Sequence, residues 1–354
     1  MRVLYLSISF LILITIFFLF IIEKIIVKKY PDWINQESSP YIFYSYDKNL
    51  GWVNTKNSHG GIFKRSEFEH EININSEGGR DDEFKRPNKK LDIAVLGDSF
   101  VWGVGAAYGE RFTEILENYN PKINDVRNYG VSGYGQVHNL IQLKENLVNL
   151  QEVDLLVLTV CLSNDLEDNV LKYRYGYYKP YLELNKNSIE IKGIPVKNNK
   201  EITRKKNYFF GMGLKQFYLK SKSVLLEKYA GILNPKDFYT FDENLSKYKI
   251  DKINRMYRIF DLAIDEILKI SNKTNTKIVV LFAPTKFEVE YLVDEPSKVR
   301  DNLTRILKDK KIDYIDPTDI FEKSDFWEKD GHWTSYGHIK IAKVLNNYLN
   351  NLYK

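Results

Sequence analysis

Short apolar runs alternate with amphipathic stretches over most of the chain beyond residue 91. Continuously apolar runs, which are typical of strands buried on both faces of a parallel sheet, occur at 92–97, 153–160 and 277–282, and shorter strands are predicted at 125–128 and 312–315. Helical periodicity falls near 109–119, 136–149, 248–272 and 335–350. This alternation predicts an α/β domain with a mostly parallel sheet covered by helices on both faces.

The N-terminal apolar run is of a different kind. Val3 to Ile22 are 20 residues without a formal charge, long enough to cross the hydrocarbon core of a bilayer. No small-residue cleavage pattern follows the run, so the sequence favours an uncleaved transmembrane anchor within residues 1–30 over a signal peptide. The lysines just after it, Lys24, Lys28 and Lys29, favour a cytoplasmic location for the C-terminal side.

Two segments depart from the α/β rhythm. Residues 31–90 alternate in short, turn-rich stretches, which predicts a small β-rich preface packed on the main domain of residues 91–354. Residues 170–247 form a tyrosine- and lysine-rich insertion directly after a core strand, where substrate loops commonly arise. The insertion could equally be an ordinary peripheral subdomain, because loop composition alone is only suggestive.

Composition excludes some functions. The 354 residues include 52 basic and 47 acidic side chains, and the net charge of +5 lies largely in the N-terminal 30 residues, so the remainder shows no basic footprint for nucleic acid. The single cysteine, Cys161, lies in an apolar strand and is interpreted as a small buried hydrophobe. No cluster of side chains has metal-ligand spacing, and we predict neither a metal nor a cofactor.

The most informative stretch is Leu91 to Gly105, LDIAVLGDSFVWGVG. Its buried strand stops abruptly at Gly97-Asp98-Ser99, which places Ser99 at the carboxyl edge of the sheet, where open α/β folds bind their ligands. Glycine, aspartate and serine also favour plain turns, so this stretch alone does not distinguish a nucleophile from a turn. We expect Asp98 to be a structural carboxylate that holds the turn.

A serine nucleophile needs a base, a group that orients the base, and donors for the oxyanion. Of the five histidines, only His332 has a carboxylate so close in sequence with a turn between, in Asp330-Gly331-His332. Two further strand-end turns could supply the donors: Gly133, which could aim a backbone N–H, and Asn164, which carries a neutral amide. Each of these features alone is commonly just a turn.

Together and in this order, the four stretches resemble the sequence blocks of the SGNH (GDSL-type) hydrolase superfamily, which is named for Ser, Gly, Asn and His. Gly97-Asp98-Ser99-Phe100 matches the first block, Gly133 the second, Asn164 the third, and Asp330 with His332 the last. The last block is Asp-x-His rather than the common Asp-x-x-His, a spacing that resembles polysaccharide O-acetyl enzymes. The third block lacks the usual glycine before the asparagine.

The resemblance implies a three-layer, flavodoxin-like sandwich with a Ser99–His332–Asp330 triad. The oxyanion hole would consist of the Ser99 and Gly133 backbone N–H groups and the Asn164 amide. The implied function is hydrolysis of ester bonds, O-acetyl groups above all, on extracytoplasmic glycans or small acyl esters, by a protein anchored in the cell membrane through residues 3–22. It places the catalytic domain outside the cytoplasm, against the lysine distribution. Two alternatives stay open: an O-acyltransferase in polysaccharide modification, and a non-catalytic envelope protein that kept the fold.

Overall fold

The computed structural model describes residues 14–15, 17–25, 43–175, 177–197, 250–291 and 298–353. Contacts divide the chain into two units, of which one comprises residues 39–202 and 239–354. Of the other unit the structure describes only residues 14–15 and 17–25, which are helical. No helix within the described ranges is long and apolar enough to span a bilayer. Most of the anchor predicted from the sequence lies outside those ranges.

The larger unit is built around a sheet of five parallel strands. Its strands are β5 (Leu91–Leu96), β6 (Ile123–Asn128), β7 (Leu155–Cys161), β12 (Lys277–Ala283) and β13 (Asp313–Ile315). Their order across the sheet is β13-β12-β7-β5-β6, with all neighbours parallel. In chain order this is 2-1-3-4-5 read from the β6 edge, the arrangement of the flavodoxin-like doubly wound folds.

Helices cover both faces of the sheet. They are α1 (Ser99–Trp102), α2 (Phe112–Tyr119), α3 (Gln136–Lys144), α4 (Asp165–Asp168), α5 (Ile250–Thr274), α6 (Lys286–Tyr291), α7 (Lys298–Asp309) and α8 (Ser335–Leu352). Side chains of β5 alternate between two clusters. Ala94 and Leu96 pack with α3, α5 and α7, whereas Ile93 and Val95 pack with α2 and α8. The mixed α/β, three-layer architecture therefore follows from strands that are apolar on both faces.

The preface consists of two antiparallel hairpins. They are formed by β1 (Tyr44–Asp47) with β2 (Gly51–Asn54), and β3 (Ser58–Lys64) with β4 (Glu69–Ile74). Their aromatic and aliphatic side chains pack around Trp102 of α1, which is fully buried. The preface therefore packs against the helix that begins at Ser99.

The described part of the insertion contains two further hairpins. They are formed by β8 (Tyr173–Arg174) with β9 (Tyr177–Tyr178), and β10 (Tyr181–Asn185) with β11 (Ser188–Lys192). Residues 198–249 lie outside the description.

Several sequence predictions differ from the observed boundaries. The helix predicted near 136–149 ends at Lys144, because Asn146 has a left-handed φ of 54° and Leu147 N–H turns back to the Gln142 carbonyl. Strand β3 and helix α7 were not predicted. β3 contains Gly60 and Gly61, so its alternation is weak. α7 has an apolar stripe at helical spacing, formed by Val299, Leu303, Ile306 and Leu307, which the prediction missed among the charged residues of that segment.

Candidate active site

The Ser99 turn is built by its neighbours at the end of β5. Asp98 caps α1, since its carboxylate accepts a 2.9 Å hydrogen bond from the Phe100 N–H and its carbonyl accepts one from Trp102. Asp98 is 3% exposed, and burial raises the pKa of its carboxyl despite the hydrogen bond and the nearby His332. Asp98 therefore has the turn-holding role that the sequence predicted for it. Ser99, the next residue, is half-buried.

The last block approaches Ser99 from the far end of the chain. The His332 Nε2 lies 2.8 Å from the Ser99 Oγ, and the His332 Nδ1 lies 2.5 Å from the Asp330 Oδ1. The serine, imidazole and carboxylate thus form a continuous hydrogen-bonded chain, although 233 positions separate the first two residues. The hydroxyl can pass its proton to the imidazole, and the carboxylate can hold the imidazole in the required tautomer.

The Asp330 carboxyl lies in a partly closed environment. Burial favours its neutral form, but the hydrogen bond and charge of His332, together with the charge of Arg65, outweigh burial and lower the pKa of Asp330 below its ordinary value. Its side chain is 13% exposed and that of His332 is 24% exposed. Asp330 is therefore an anion beside the imidazole, which is the form that stabilises an imidazolium.

Trp333 fixes the loop that carries His332. It is fully buried, and its indole N–H donates a 2.9 Å hydrogen bond to the carbonyl of Pro284, directly after β12. Its ring contacts Phe100, at 4.7 Å between centroids. The tryptophan after the histidine therefore ties the last block to both the sheet edge and the Ser99 helix.

Gly133 lies in the turn after β6, next to the Ser99 turn. The Val131 N–H donates to the carbonyl of Gly97, which joins the two turns. Gly133 has a φ of 81°, and a Cβ there would stand 2.6 Å from Tyr175 Cε2 and 3.2 Å from Trp52 Cζ2. A left-handed backbone and a ring pressed against it both require glycine at this position.

Asn164 lies at the end of β7, the strand adjacent to β5 in the sheet. Its side chain is half-buried, and its Nδ2 donates a 3.0 Å hydrogen bond to the Asp168 Oδ2. The amide therefore lies at the same sheet edge as Ser99, where one of its N–H groups is already engaged.

The single cysteine and the question of a metal site lie apart from the Ser–His–Asp chain. Cys161 is buried, and burial raises the pKa of its thiol, in line with the predicted structural role. Among the described residues, no group of three or more His, Cys, Asp or Glu side chains is arranged to hold a metal ion.

The sequence reasoning missed several residues that support the site. Arg65 and Glu67, in the turn between β3 and β4, contact Asp330. Asp168 accepts a hydrogen bond from the Asn164 side chain, and Arg174 in turn lies beside Asp168. Of these four residues only Asp168 could have been found from the sequence, because a carboxylate four residues after Asn164 lies on the same face of a helical turn.

Comparison with known proteins found remote structural similarities. No family model matches the sequence, and no curated protein matches it. A lipolytic protein of the G-D-S-L family from Veillonella parvula has a similar structure, with 13% identity, 72% of this chain and 94% of that chain covered, and a TM-score of 0.38.

A catalytic mutant of an acetylxylan esterase from Geobacillus stearothermophilus has 11% identity, with 74% of this chain and 95% of that chain covered and a TM-score of 0.38. A protein from Lactobacillus plantarum has 12% identity, with 75% and 100% covered and a TM-score of 0.40. Similarities at this level do not decide family or activity, so the functional argument depends on the site itself.

Proposed function

We propose that this protein is a serine esterase of the SGNH type, in which Ser99 is the nucleophile, His332 the general base and acid, and Asp330 the residue that orients His332. The observation that carries the proposal is the continuous contact from Ser99 Oγ through His332 to Asp330, with distances of 2.8 Å and 2.5 Å. Neutral serine is a weak nucleophile, and an imidazole in direct contact removes that obstacle.

The reaction follows from these contacts in two halves. The Ser99 oxygen attacks the acyl carbon while its proton passes to the His332 Nε2, and the alcohol leaves with that proton as the acyl–serine bond forms. Water then attacks the acyl-enzyme, gives its proton to His332, and releases the acid as the proton returns to Ser99. The carbonyl oxygen becomes an oxyanion in both halves, and the donors assigned to it are the N–H groups of Ser99 and Gly133 and the Asn164 amide.

The substrates that fit this proposal are O-acetylated glycans or small acyl esters outside the cytoplasm. An exposed aromatic ring at the oxyanion turn supports a glycan, since Tyr175 is 61% exposed while its ring contacts Gly133. Aromatic side chains offer a flat apolar face to a sugar and a polar edge to its hydroxyls. The uncharged run of residues 3–22 supports a single-pass membrane anchor. The outward orientation of the catalytic domain is inferred from the resemblance to SGNH hydrolases, against the lysines that follow the run.

The same serine would also serve an O-acyltransferase that passes the acyl group to a sugar hydroxyl. The observation in favour is the β8–β9 hairpin of the insertion, which lies against the Gly133 turn, where an acceptor sugar could be held in place of water. Adding an unacetylated glycan acceptor to the assay distinguishes the two activities, because a transferase yields acylated glycan rather than free acid.

The central test compares the full-length protein with its Ser99→Ala variant on p-nitrophenyl acetate. We expect turnover by the wild type and a loss of about 10³-fold or more in the variant, because the covalent route is removed. Ser188→Ala, a substitution in the remote strand β11, is the matched control and should leave turnover unchanged. Equal rates in wild type and Ser99→Ala would refute the proposal.

A further inference from the structure

Asp168 presents an unusual buried carboxylate at the edge of the candidate site. It has no solvent exposure, and its Oδ2 accepts the 3.0 Å hydrogen bond from the Asn164 Nδ2. Its Oδ1 lies 3.4 Å from the Nη1 of Arg174, which is part of the β8–β9 hairpin. One carboxylate thus joins the third block to the insertion.

This contact decides which way the Asn164 amide points. A terminal amide can rotate by half a turn and exchange its oxygen and nitrogen, and only its hydrogen bonds select one orientation. The Asn164 Oδ1 is buried and has no hydrogen-bond partner among the described residues. An ionised carboxylate only accepts hydrogen bonds, so Asp168 selects the orientation that turns the nitrogen towards it.

The remaining N–H of the amide is the group that an oxyanion hole needs. The described residues supply no second acceptor for the Asn164 Nδ2. Since the first N–H fixes the plane of the amide, the direction of the second N–H is fixed as well. The half-buried Asn164 is therefore prepared to donate before the substrate binds, which is how preorganised donors stabilise developing charge.

Two cations of the insertion keep Asp168 able to accept. Burial raises the pKa of Asp168 to about 6, while the charges of Arg174 and Lys179 act in the opposite direction. Lys179 is 1% exposed, and its ammonium donates to the backbone carbonyls of Asp168 and Pro180. The insertion therefore supplies the positive charge next to this carboxylate, although it lies outside the sequence blocks.

We propose that Asp168 is a positioning residue that orients the Asn164 amide towards the substrate oxygen, and that Arg174 of the insertion holds Asp168 in place for this task. The proposal rests on the esterase function given above. It assigns the β8–β9 hairpin a part in completing the oxyanion hole.

The test is a double-mutant cycle in the full-length protein. Wild type, Asn164→Ala, Asp168→Asn and the double variant are compared by kcat and KM on p-nitrophenyl acetate. We expect Asp168→Asn to lower kcat about 10- to 100-fold with little change in KM, because the interaction strengthens only in the transition state. In the Asn164→Ala background the same substitution should have no further effect, since Asp168 acts through Asn164.

The opposite edge of the sheet offers a matched control. Asp92, at the start of β5, is buried, accepts a 2.8 Å hydrogen bond from the Asn124 Nδ2 and lies 3.7 Å from the Arg127 Nη2. This arrangement has the same three residue types as Asp168, Asn164 and Arg174, but it lies away from the active site. Asp92→Asn should lower the melting temperature as Asp168→Asn does, and leave kcat unchanged.

Arg174 provides a second arm. Arg174→Met should lower kcat in the same direction as Asp168→Asn, and Arg174→Lys should restore part of the loss because it keeps the charge beside Asp168. Additive losses in the double variant, or a wild-type kcat in Asp168→Asn, would overturn the proposal.

A measurement without turnover separates the proposal from the esterase function. In protein labelled with ¹⁵N-asparagine, the Asn164 side-chain signal is assigned by its loss in Asn164→Ala. We expect one of its two N–H protons to be shifted and protected from exchange in the wild type, and this shift and protection to be lost in Asp168→Asn. Unchanged signals would contradict the orientation by Asp168, whereas an inactive wild type with the expected signals would contradict only the esterase function.

Discussion

The Glu67 carboxylate accepts a 2.8 Å hydrogen bond from the backbone N–H of Asp330, a residue 263 positions further along the chain. The same Oε2 accepts a second 2.8 Å hydrogen bond from the Lys329 N–H. Arg65, from the same turn, lies 4.0 Å from the Asp330 carboxylate. The turn between β3 and β4 therefore holds the loop that brings Asp330 and His332 to Ser99, which makes the preface a part of the site.

Replacing Glu67 by alanine should lower both activity and stability. The half-buried carboxylate would no longer fix the Asp330 loop, and a small misplacement of the base is expected to lower kcat/KM about 10-fold. The lost charge-assisted hydrogen bonds should lower the free energy of unfolding by about 1–3 kcal/mol. Esterase kinetics and urea unfolding measure the two effects.

Glu69→Ala is the control for this prediction. Glu69 lies two residues away and pairs with Lys64 on the exposed side of the same hairpin. It should retain wild-type kcat/KM, and an equal loss in both variants would show that the effect is not specific to Glu67.

Gly133→Ala should lower both stability and activity, for two separable reasons. The left-handed φ of 81° alone costs about 1–2 kcal/mol for alanine, and the new Cβ would stand 2.6 Å from the Tyr175 ring. We expect a lower melting temperature and a loss of activity, because the Gly133 N–H is an assigned oxyanion donor.

Gly109→Ala isolates the backbone contribution to this effect. Gly109 has nearly the same φ of 80°, and a Cβ there would meet nothing within 4 Å. It should lose stability by the strain alone and keep its activity. If both alanine variants keep full activity, the close packing at Gly133 has no functional role.

Tyr175→Ala should weaken the use of a glycan substrate selectively. The exposed ring is proposed to stack on a sugar beside the Gly133 turn. The KM for an O-acetylated oligosaccharide should therefore rise about 10-fold, which corresponds to about 1.4 kcal/mol of binding. The KM for ethyl acetate should stay unchanged, since that ester has neither a sugar nor an aromatic ring to stack. Tyr175→Trp should retain glycan activity.

Tyr119→Ala serves as the control, because Tyr119 is 65% exposed at the end of α2 and lies near the opposite edge of the sheet. It should behave as wild type on both substrates. A rise in KM that is equal for the two esters in Tyr175→Ala would contradict stacking on a sugar.

The stability of the protein should fall as the pH rises through the titration of Asp81. Burial raises the pKa of Asp81 from its ordinary value of 3.8 to about 7, although the charge of Arg111 and the Asn128 N–H act the other way. The folded state therefore binds a proton that the unfolded state releases between about pH 4 and pH 7. This contribution is present below that window and is lost across it, with a slope of at most about 1.4 kcal/mol per pH unit.

Urea unfolding of wild type and Asp81→Asn between pH 4 and pH 8 checks this direction. The difference in free energy of unfolding, wild type minus variant, should decline with pH and level off above pH 7. A difference that rises with pH in Asp81→Asn would contradict a raised pKa.

The sequence by itself determined the strands of the central sheet, the turns at their ends and the order of Ser99, Gly133, Asn164 and His332. Strands β5, β7 and β12 are buried on both faces and therefore largely apolar, and the turns that carry the candidate site residues come soon after strands of the sheet. Both features are local and visible along the chain. Helices α2, α5 and α8 were visible for the same reason, because one apolar face repeats with the helical period.

Only the tertiary structure decided which distant groups support those residues. Glu67 and Asp330 meet across 263 positions, and Arg65 of the same turn lies 4.0 Å from the Asp330 carboxylate. Such contacts join a charged side chain to a backbone N–H or to a carboxylate, and neither partner changes the local hydrophobic period. They arise when the folded chain brings loops together, which local patterns of apolar and polar residues do not encode.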